Sequence, residues 1–161
     1  MIMASPAACT AAQGDAARTS GCVVAVVVDG DTFRCRDGRR VRLIGIDSPE
    51  HDQAPFGGQA RTALAQLVSP GAEVRLELDA APRDQYGRVL AYVWAEGRLV
   101  NETMVHDGWA VLYTVPPNVK YAARLRKAQK EARAAGAGLW SQHGFECLPN
   151  DFRRRRCVSR P

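Results

Sequence analysis

The chain has 161 residues, a length that fits one domain with its own hydrophobic core. Apolar residues make up 46% and charged residues 24%, as in an ordinary globular protein, and no apolar run approaches the ~20 residues of a membrane helix. The net charge is +5, but residues 151–161 contribute +4 of it with five Arg and one Asp, so charge alone does not indicate a nucleic-acid partner.

The first 21 residues are small and polar, and we expect a leader or a disordered extension there. They lack a basic start followed by an apolar stretch, so they do not form a complete signal peptide. Residues 1–9 fit the end of a signal peptide whose front is missing, and a disordered extension is the alternative.

Three strands joined by tight turns are predicted next. Residues 23–28 are continuously apolar and mostly β-branched, which is typical of a buried strand. Asp29-Gly30-Asp31 indicates a turn, and residues 32–35 resume the strand pattern. Asp37-Gly38 is a strong hairpin signal, and residues 41–46 follow it as the third strand.

The rest of the chain predicts a helix, two strands and two helices, over residues 57–68, 73–79, 89–95, 99–107 and 118–135. Asn118 follows two prolines and is expected to cap the last helix. Residues 142–161 show no periodicity and are expected to form a basic tail. Five strands with a helix after the third are the layout of an OB-fold. We therefore predict an α+β domain over residues 22–141, a five-stranded OB-fold β-barrel with three helices.

The five cysteines indicate whether the protein works in an oxidising or a reducing cellular compartment. Cys22 and Cys35 flank the predicted hairpin and could form a cross-strand disulfide, Cys147 and Cys157 could pair in the tail, and Cys9 is left over. Because disulfides belong to oxidising compartments, we expect a secreted or periplasmic protein. The alternative is a cytoplasmic protein with reduced, buried cysteines.

The chemistry is predicted to lie at the ends of strands. Asp31 lies in the turn after the first strand, while Asp47 and Glu50 follow the third, and a small barrel can bring these positions together. Three carboxylates without a histidine favour a hard cation, Ca²⁺ or Mg²⁺. Arg42 and Arg88 would add guanidinium groups, which match the charge and geometry of phosphate. An acidic metal site beside two arginines suits hydrolysis of a phosphodiester.

With these clusters in this order, the chain resembles the staphylococcal nuclease, or thermonuclease, family over residues 22–141. The resemblance is carried by DGDT at 29–32, RLIGIDSPE at 42–50, DQYGR at 84–88, VNETMVHDG at 100–108 and GLW at 138–140. It implies an OB-fold barrel and a calcium-dependent endonuclease that hydrolyses DNA and RNA with little sequence preference and leaves 3′-phosphate ends.

The resemblance also implies residue roles at the metal site. Asp31 and Asp47 would ligate calcium through their carboxylates and Ser48 through its backbone carbonyl. Glu50 would act as the general base or would orient the attacking water. Ser48 departs from the threonine that is common in the family, a change that a carbonyl ligand tolerates.

On the substrate side, the resemblance implies that Arg42 and Arg88 bind the scissile phosphate and that Tyr86 and Tyr113 contact the nucleotide. Gln85 and Val115 depart from a lysine and a tyrosine of the staphylococcal enzyme, which puts the affinity for substrate in question. Two alternatives stay open: a non-catalytic OB-fold module that binds nucleic acid or protein, and a calcium-stabilised structural domain. A monomer is the simplest expectation.

Overall fold

Five strands close into a mixed β-barrel in a computed structural model that describes residues 19–157. They are β1 (Thr19–Asp29), β2 (Thr32–Cys35), β3 (Arg40–Leu43), β5 (Glu73–Arg83) and β6 (Val89–Ala95). Neighbouring strands are antiparallel in the order β3-β2-β1-β5-β6, and a parallel pairing of β3 with β6 closes the barrel. The predicted five-stranded OB-fold is confirmed.

Shorter elements cover and extend the barrel. The short strands are β4 (Gly45–Asp47), β7 (Arg98–Leu99) and β8 (Val111–Tyr113). The helices are α1 (Phe56–Leu67), α2 (Val100–His106), α3 (Ala122–Ala135), a 3-10 helix (Gly138–Gln142) and α4 (Pro149–Arg153). The three predicted helices are present as α1, α2 and α3. No helix among residues 19–157 is long and apolar enough to cross a membrane.

The core fills the barrel and the space beneath α1. On β1, Val24 and Val27 are buried, and on α1 the buried face includes Ala60, Ala63 and Leu64, as the helical periodicity predicts. Burial of this apolar surface is the main force that holds the helix against the barrel.

The third predicted strand is wrong in one respect, because residues 41–46 do not form a single strand. Gly45 has a φ of +80°, which only glycine adopts readily, and the backbone turns there. As a result β3 ends at Leu43, and β4 leaves the barrel to pair with β8. Asp47 at the end of β4 is thereby paired with Val111 of β8.

Asn118 does not cap the last helix as predicted, since α3 begins only at Ala122. The Asn118 side chain is buried, accepts a hydrogen bond from the Ala81 N–H and donates one to the Ala81 carbonyl, at 2.8 and 2.9 Å. It therefore serves as a partner for the backbone of β5, which runs four residues beyond the predicted end at Asp79.

Both candidate disulfides form, and the second one orders the segment that was expected to be an irregular tail. Cys22–Cys35 joins β1 to β2, and Cys147–Cys157 closes a loop that contains α4. Cys9 and most of the predicted leader lie outside the described residues, and β1 already begins at Thr19.

Candidate active site

The first acid of the site is held by the tight turn between β1 and β2. Asp29 accepts a hydrogen bond from the N–H of Asp31 at 3.0 Å, which fixes the turn. A Cβ at Gly30 would lie 2.6 Å from Ala60 and 2.7 Å from Ser48, so only glycine lets the turn approach α1 and the end of β4.

The turn and the end of β4 meet through a pair of hydrogen bonds. The backbone N–H and the hydroxyl of Ser48 both donate to Oδ2 of Asp31, each at 2.9 Å. Asp31, Asp47 and Ser48 are all at least 94% buried. The structure therefore brings together the two buried acids whose proximity the sequence predicted.

Arg42 bridges these acids from β3. Its Nε lies 3.1 Å from Oδ1 of Asp31, and its Nη2 lies 3.1 Å from Oδ1 of Asp47. Its Nη1 donates to the carbonyls of Leu43 and Ile46 at 2.6 and 3.1 Å. Four contacts from a largely buried side chain hold this guanidinium in one position.

The pKa values of two acids are raised because the site is buried and crowded with negative charge. Burial and the nearby Asp31 carboxylate raise the pKa of Asp29 to about 6. Burial also raises the pKa of Asp47, although hydrogen bonds from Arg153 and the charge of Arg42 oppose that rise. The site therefore favours additional positive charge.

Glu50 lies at the rim, in the loop that joins β4 to α1. Its side chain is 34% exposed, and its backbone N–H donates to Oε1 of Gln53 at 3.3 Å. A Cβ on Gly57 would lie 1.9 Å from the Glu50 carbonyl oxygen, so the start of α1 packs directly on this loop. This partly exposed carboxylate can accept a proton from a water molecule in the cleft.

Arg88 is positioned by Asp84, the first residue of the DQYGR motif, to which the sequence analysis assigned no role. Oδ2 of Asp84 lies 2.6 Å from Nε of Arg88, while Oδ1 accepts the N–H groups of Tyr86 and Arg88. The same carboxylate thus shapes the turn between β5 and β6 and orients the arginine. The D-x-x-x-R spacing of this turn was a signal that could have revealed the pairing.

One cavity of about 340 Å³ gathers these side chains. Seven of the eight predicted site residues line it: Asp31, Arg42, Ser48, Glu50, Tyr86, Arg88 and Tyr113. Asp47 is the exception and is paired with Arg42, which does line the cavity. Tyr86 is 72% exposed at the mouth, and a second, mainly apolar cavity of about 250 Å³ shares Arg42, Arg88 and Tyr113 with the first.

Arg153 also lines the cavity, and sequence reasoning missed it. Its Nη2 lies 2.7 Å from Oδ2 of Asp47 and its Nη1 3.0 Å from Oδ1, and Nη1 also contacts Oε1 of Glu50. The run of four arginines at residues 153–156 was visible in the sequence, but nothing in it distinguished the first from the others.

Comparison of the sequence with known proteins identifies its family. The sequence profile described as "Staphylococcal nuclease homologue" matches residues 40–142. Thermonuclease from Staphylococcus intermedius is 39% identical over 124 residues, which cover 72% of this chain and 73% of the relative. The chain belongs to the staphylococcal nuclease family.

Two further family relatives show how widely the similarity extends. Thermonuclease from Staphylococcus hyicus is 37% identical over 71% of this chain and 72% of its own length. Endonuclease YncB from Bacillus subtilis (strain 168) is 36% identical over 73% of this chain, but the match spans only 60% of that relative.

The donor atoms of this staphylococcal nuclease relative fit a hard divalent cation. Asp31, Asp47 and Ser48 offer carboxylate and carbonyl oxygens, the ligands that calcium prefers. Within residues 19–157, no three His, Cys, Asp or Glu side chains converge as a metal site. Backbone and water oxygens would therefore supply much of the roughly six to eight ligands that calcium takes.

Proposed function

We propose that the chain is a calcium-dependent endonuclease that hydrolyses the phosphodiester bonds of DNA and RNA with low sequence specificity and leaves 3′-phosphate ends. Nuclease activity itself is supported by the family and by the names of the relatives, thermonuclease and endonuclease. The observation that carries the proposal is one cavity lined by Asp31, Glu50, Arg42 and Arg88, with the second buried acid, Asp47, paired to Arg42.

In this mechanism Asp31 and Asp47 would hold the calcium ion together with the backbone carbonyl of Ser48. The bound cation would supply electrostatic stabilisation of negative charge on a phosphate oxygen. Glu50, at the solvent-accessible rim, accepts the proton of the attacking water. The water oxygen bonds to phosphorus, the bond to the 5′-oxygen breaks, and the phosphate remains on the 3′ side.

The arginines neutralise the charge that develops on the phosphate. Arg42 is held by the acids and two carbonyls, and Arg88 is oriented by Asp84. Because both guanidiniums are fixed before substrate binds, little reorganisation is needed in the transition state. Removing one such fixed donor typically lowers kcat by about 10²–10³.

Tyr86 and Tyr113 are proposed to contact the nucleotide. The exposed Tyr86 ring lies at the mouth of the cavity, and the Arg88 guanidinium lies 5.7 Å from its centre. Tyr113 lines both the cavity that holds the acids and the second, mainly apolar cavity. The first would take a phosphate and the second a base. Such stacking does not distinguish bases, in keeping with low sequence specificity.

Location in an oxidising compartment, secreted or periplasmic, is proposed on the basis of the two disulfides, Cys22–Cys35 and Cys147–Cys157. Secretion would also bring the enzyme into contact with millimolar calcium, the range in which weak extracellular sites work.

The decisive experiment is digestion of plasmid DNA and of RNA with Ca²⁺, with Mg²⁺ or with EDTA. We expect hydrolysis with calcium, none with the chelator, and 3′-phosphate ends that block extension by a polymerase until a phosphatase removes them. Arg42→Ala, Glu50→Ala and Arg88→Ala should each lower the rate by about 10²-fold or more.

Glu96→Ala and Arg98→Ala are matched controls, because these residues form an exposed ion pair away from the cavity. They should retain full activity. Near-normal activity of Glu50→Ala would refute the assigned base. Binding of nucleic acid without any product in the native protein would instead support the non-catalytic module.

A further inference from the structure

Arg153 occupies the carboxylates that the proposed mechanism needs. The two terminal nitrogens of its guanidinium, Nη1 and Nη2, each contact one carboxylate oxygen of Asp47. Nη1 also contacts Oε1 of Glu50. A bidentate guanidinium is among the strongest partners of a carboxylate. While this contact persists, Asp47 directs its oxygens to Arg153 and Arg42, so a cation can reach them only if one arginine moves.

The two arginines differ in how firmly they are held. Arg42 is 13% exposed and keeps hydrogen bonds to two backbone carbonyls in addition to its acids. Arg153 is 37% exposed, and its guanidinium makes its contacts only with Asp47 and Glu50 among the described residues. We therefore expect Arg153, and not Arg42, to move away when a cation binds to Asp47.

A disulfide-closed segment brings Arg153 to the site. Cys147 and Cys157 are joined with ten residues of separation, and α4 between them ends at Arg153. The side-chain amide of Gln53, in the same loop as Glu50, donates to the Cys147 carbonyl at 2.8 Å. Loop closure restricts the conformations open to the segment, which raises the local concentration of the guanidinium at Asp47.

We propose that Arg153 is an internal counter-cation that competes with the divalent cation for Asp47 and pairs with the proposed base Glu50, so that the segment from Cys147 to Cys157 is an autoinhibitory plug. The inference rests on the proposed calcium site. A dication outcompetes a single guanidinium because it carries twice the charge into a buried acidic site. The plug therefore raises the calcium concentration that the enzyme needs.

Calcium affinity of the full chain, measured by isothermal titration calorimetry without nucleic acid, tests the plug. Arg153→Ala should bind calcium about tenfold more tightly, equivalent to ~1.4 kcal/mol. Arg153→Lys keeps the positive charge, but a lysine cannot bind both oxygens of Asp47 in a bidentate manner. The calcium affinity of this variant should therefore rise about threefold. Cys147→Ser with Cys157→Ser frees the segment and should also tighten binding about threefold.

Arg156→Ala is the matched control, because it removes the same charge from the same segment at a residue with no ion pair among residues 19–157. Its affinity should stay within about twofold of the native value, since exposed charges are screened by salt. Thermal unfolding without calcium establishes that each variant is folded.

Unchanged or weaker binding in folded Arg153→Ala overturns the plug, as does equal tightening in Arg156→Ala. Absence of calcium binding in both the native protein and Arg153→Ala also overturns it. The digestion assay separates this failure from that of the proposed function. If Arg153→Ala binds calcium more tightly but no variant hydrolyses nucleic acid, the plug is supported and the nuclease is refuted. If hydrolysis depends on calcium but Arg153→Ala binds calcium as the native protein does, the nuclease is supported and the plug is refuted.

Discussion

Asp84→Asn tests whether Arg88 depends on a neighbouring carboxylate for its orientation. Asp84 contacts Arg88 at 2.6 Å through Oδ2 and accepts two backbone N–H groups through Oδ1. Asparagine keeps a carbonyl oxygen for the backbone donors but loses the negative charge that faces the guanidinium. The turn should therefore survive while Arg88 becomes mobile.

The size of the effect follows from the exposure of the pair. A hydrogen bond to a charged group is worth ~1.5–3 kcal/mol, but the Arg88 and Asp84 side chains are 26% and 16% exposed, which favours the lower end. If ~1–2 kcal/mol of transition-state stabilisation is lost, kcat/KM falls about 5- to 30-fold. Arg88→Ala removes the guanidinium itself and should cost about 10²-fold or more.

Initial rates on a defined oligonucleotide at saturating calcium give kcat and KM for Asp84→Asn, Arg88→Ala and the double variant. If Asp84 acts through Arg88, the double variant is no slower than Arg88→Ala. Asp37→Asn is the matched control, since Asp37 binds the N–H and Nε of Arg39 in a distant hairpin in the same way. Additive losses, or a rate for Asp84→Asn within twofold of the native rate, would refute the positioning role.

Three further predictions concern stability. Asn101→Ala should lower the free energy of unfolding by ~2–4 kcal/mol in urea, because the fully buried amide accepts from the Val93 N–H of β6 and donates to the Ile44 carbonyl between β3 and β4, and both groups would be left unpaired. Gly57→Ala should destabilise by ~1–3 kcal/mol and lower activity, because its Cβ would overlap the Glu50 carbonyl, whereas Gly58→Ala meets open space and should stabilise slightly. Burial would raise the pKa of Asp84, yet hydrogen bonds from its arginine hold that pKa below the ordinary value. Its contribution is present at neutral pH and is lost as the pH falls, so the stability gap between native protein and Asp84→Asn should close as the pH drops below the ordinary aspartate pKa of 3.8.

The sequence was sufficient for features whose cause is local. Alternation and turn residues predicted the five strands, and acids next to strand ends predicted a shared site, since a small barrel brings those ends together. Local signals failed where a distant partner decided the outcome. At Asn118, pairing with β5 won over helix capping, and at Gly45 a positive φ divided an apolar run that looked continuous.

The contact of Arg153 with Asp47 spans 106 residues, so no periodicity could reveal it. Yet the sequence did imply that something must lie there, because two carboxylates as close as Asp31 and Asp47 require positive charge between them. That requirement specifies positive charge at this place, but it does not specify which residue or ion supplies the charge. Arg42 from β3 and Arg153 from the disulfide-closed segment meet it here, and a divalent ion would meet it better. The negative charge of Asp31 and Asp47 thus attracts both a metal ion and Arg153, its competitor, and the calcium affinity of Arg153→Ala measures the balance between the two.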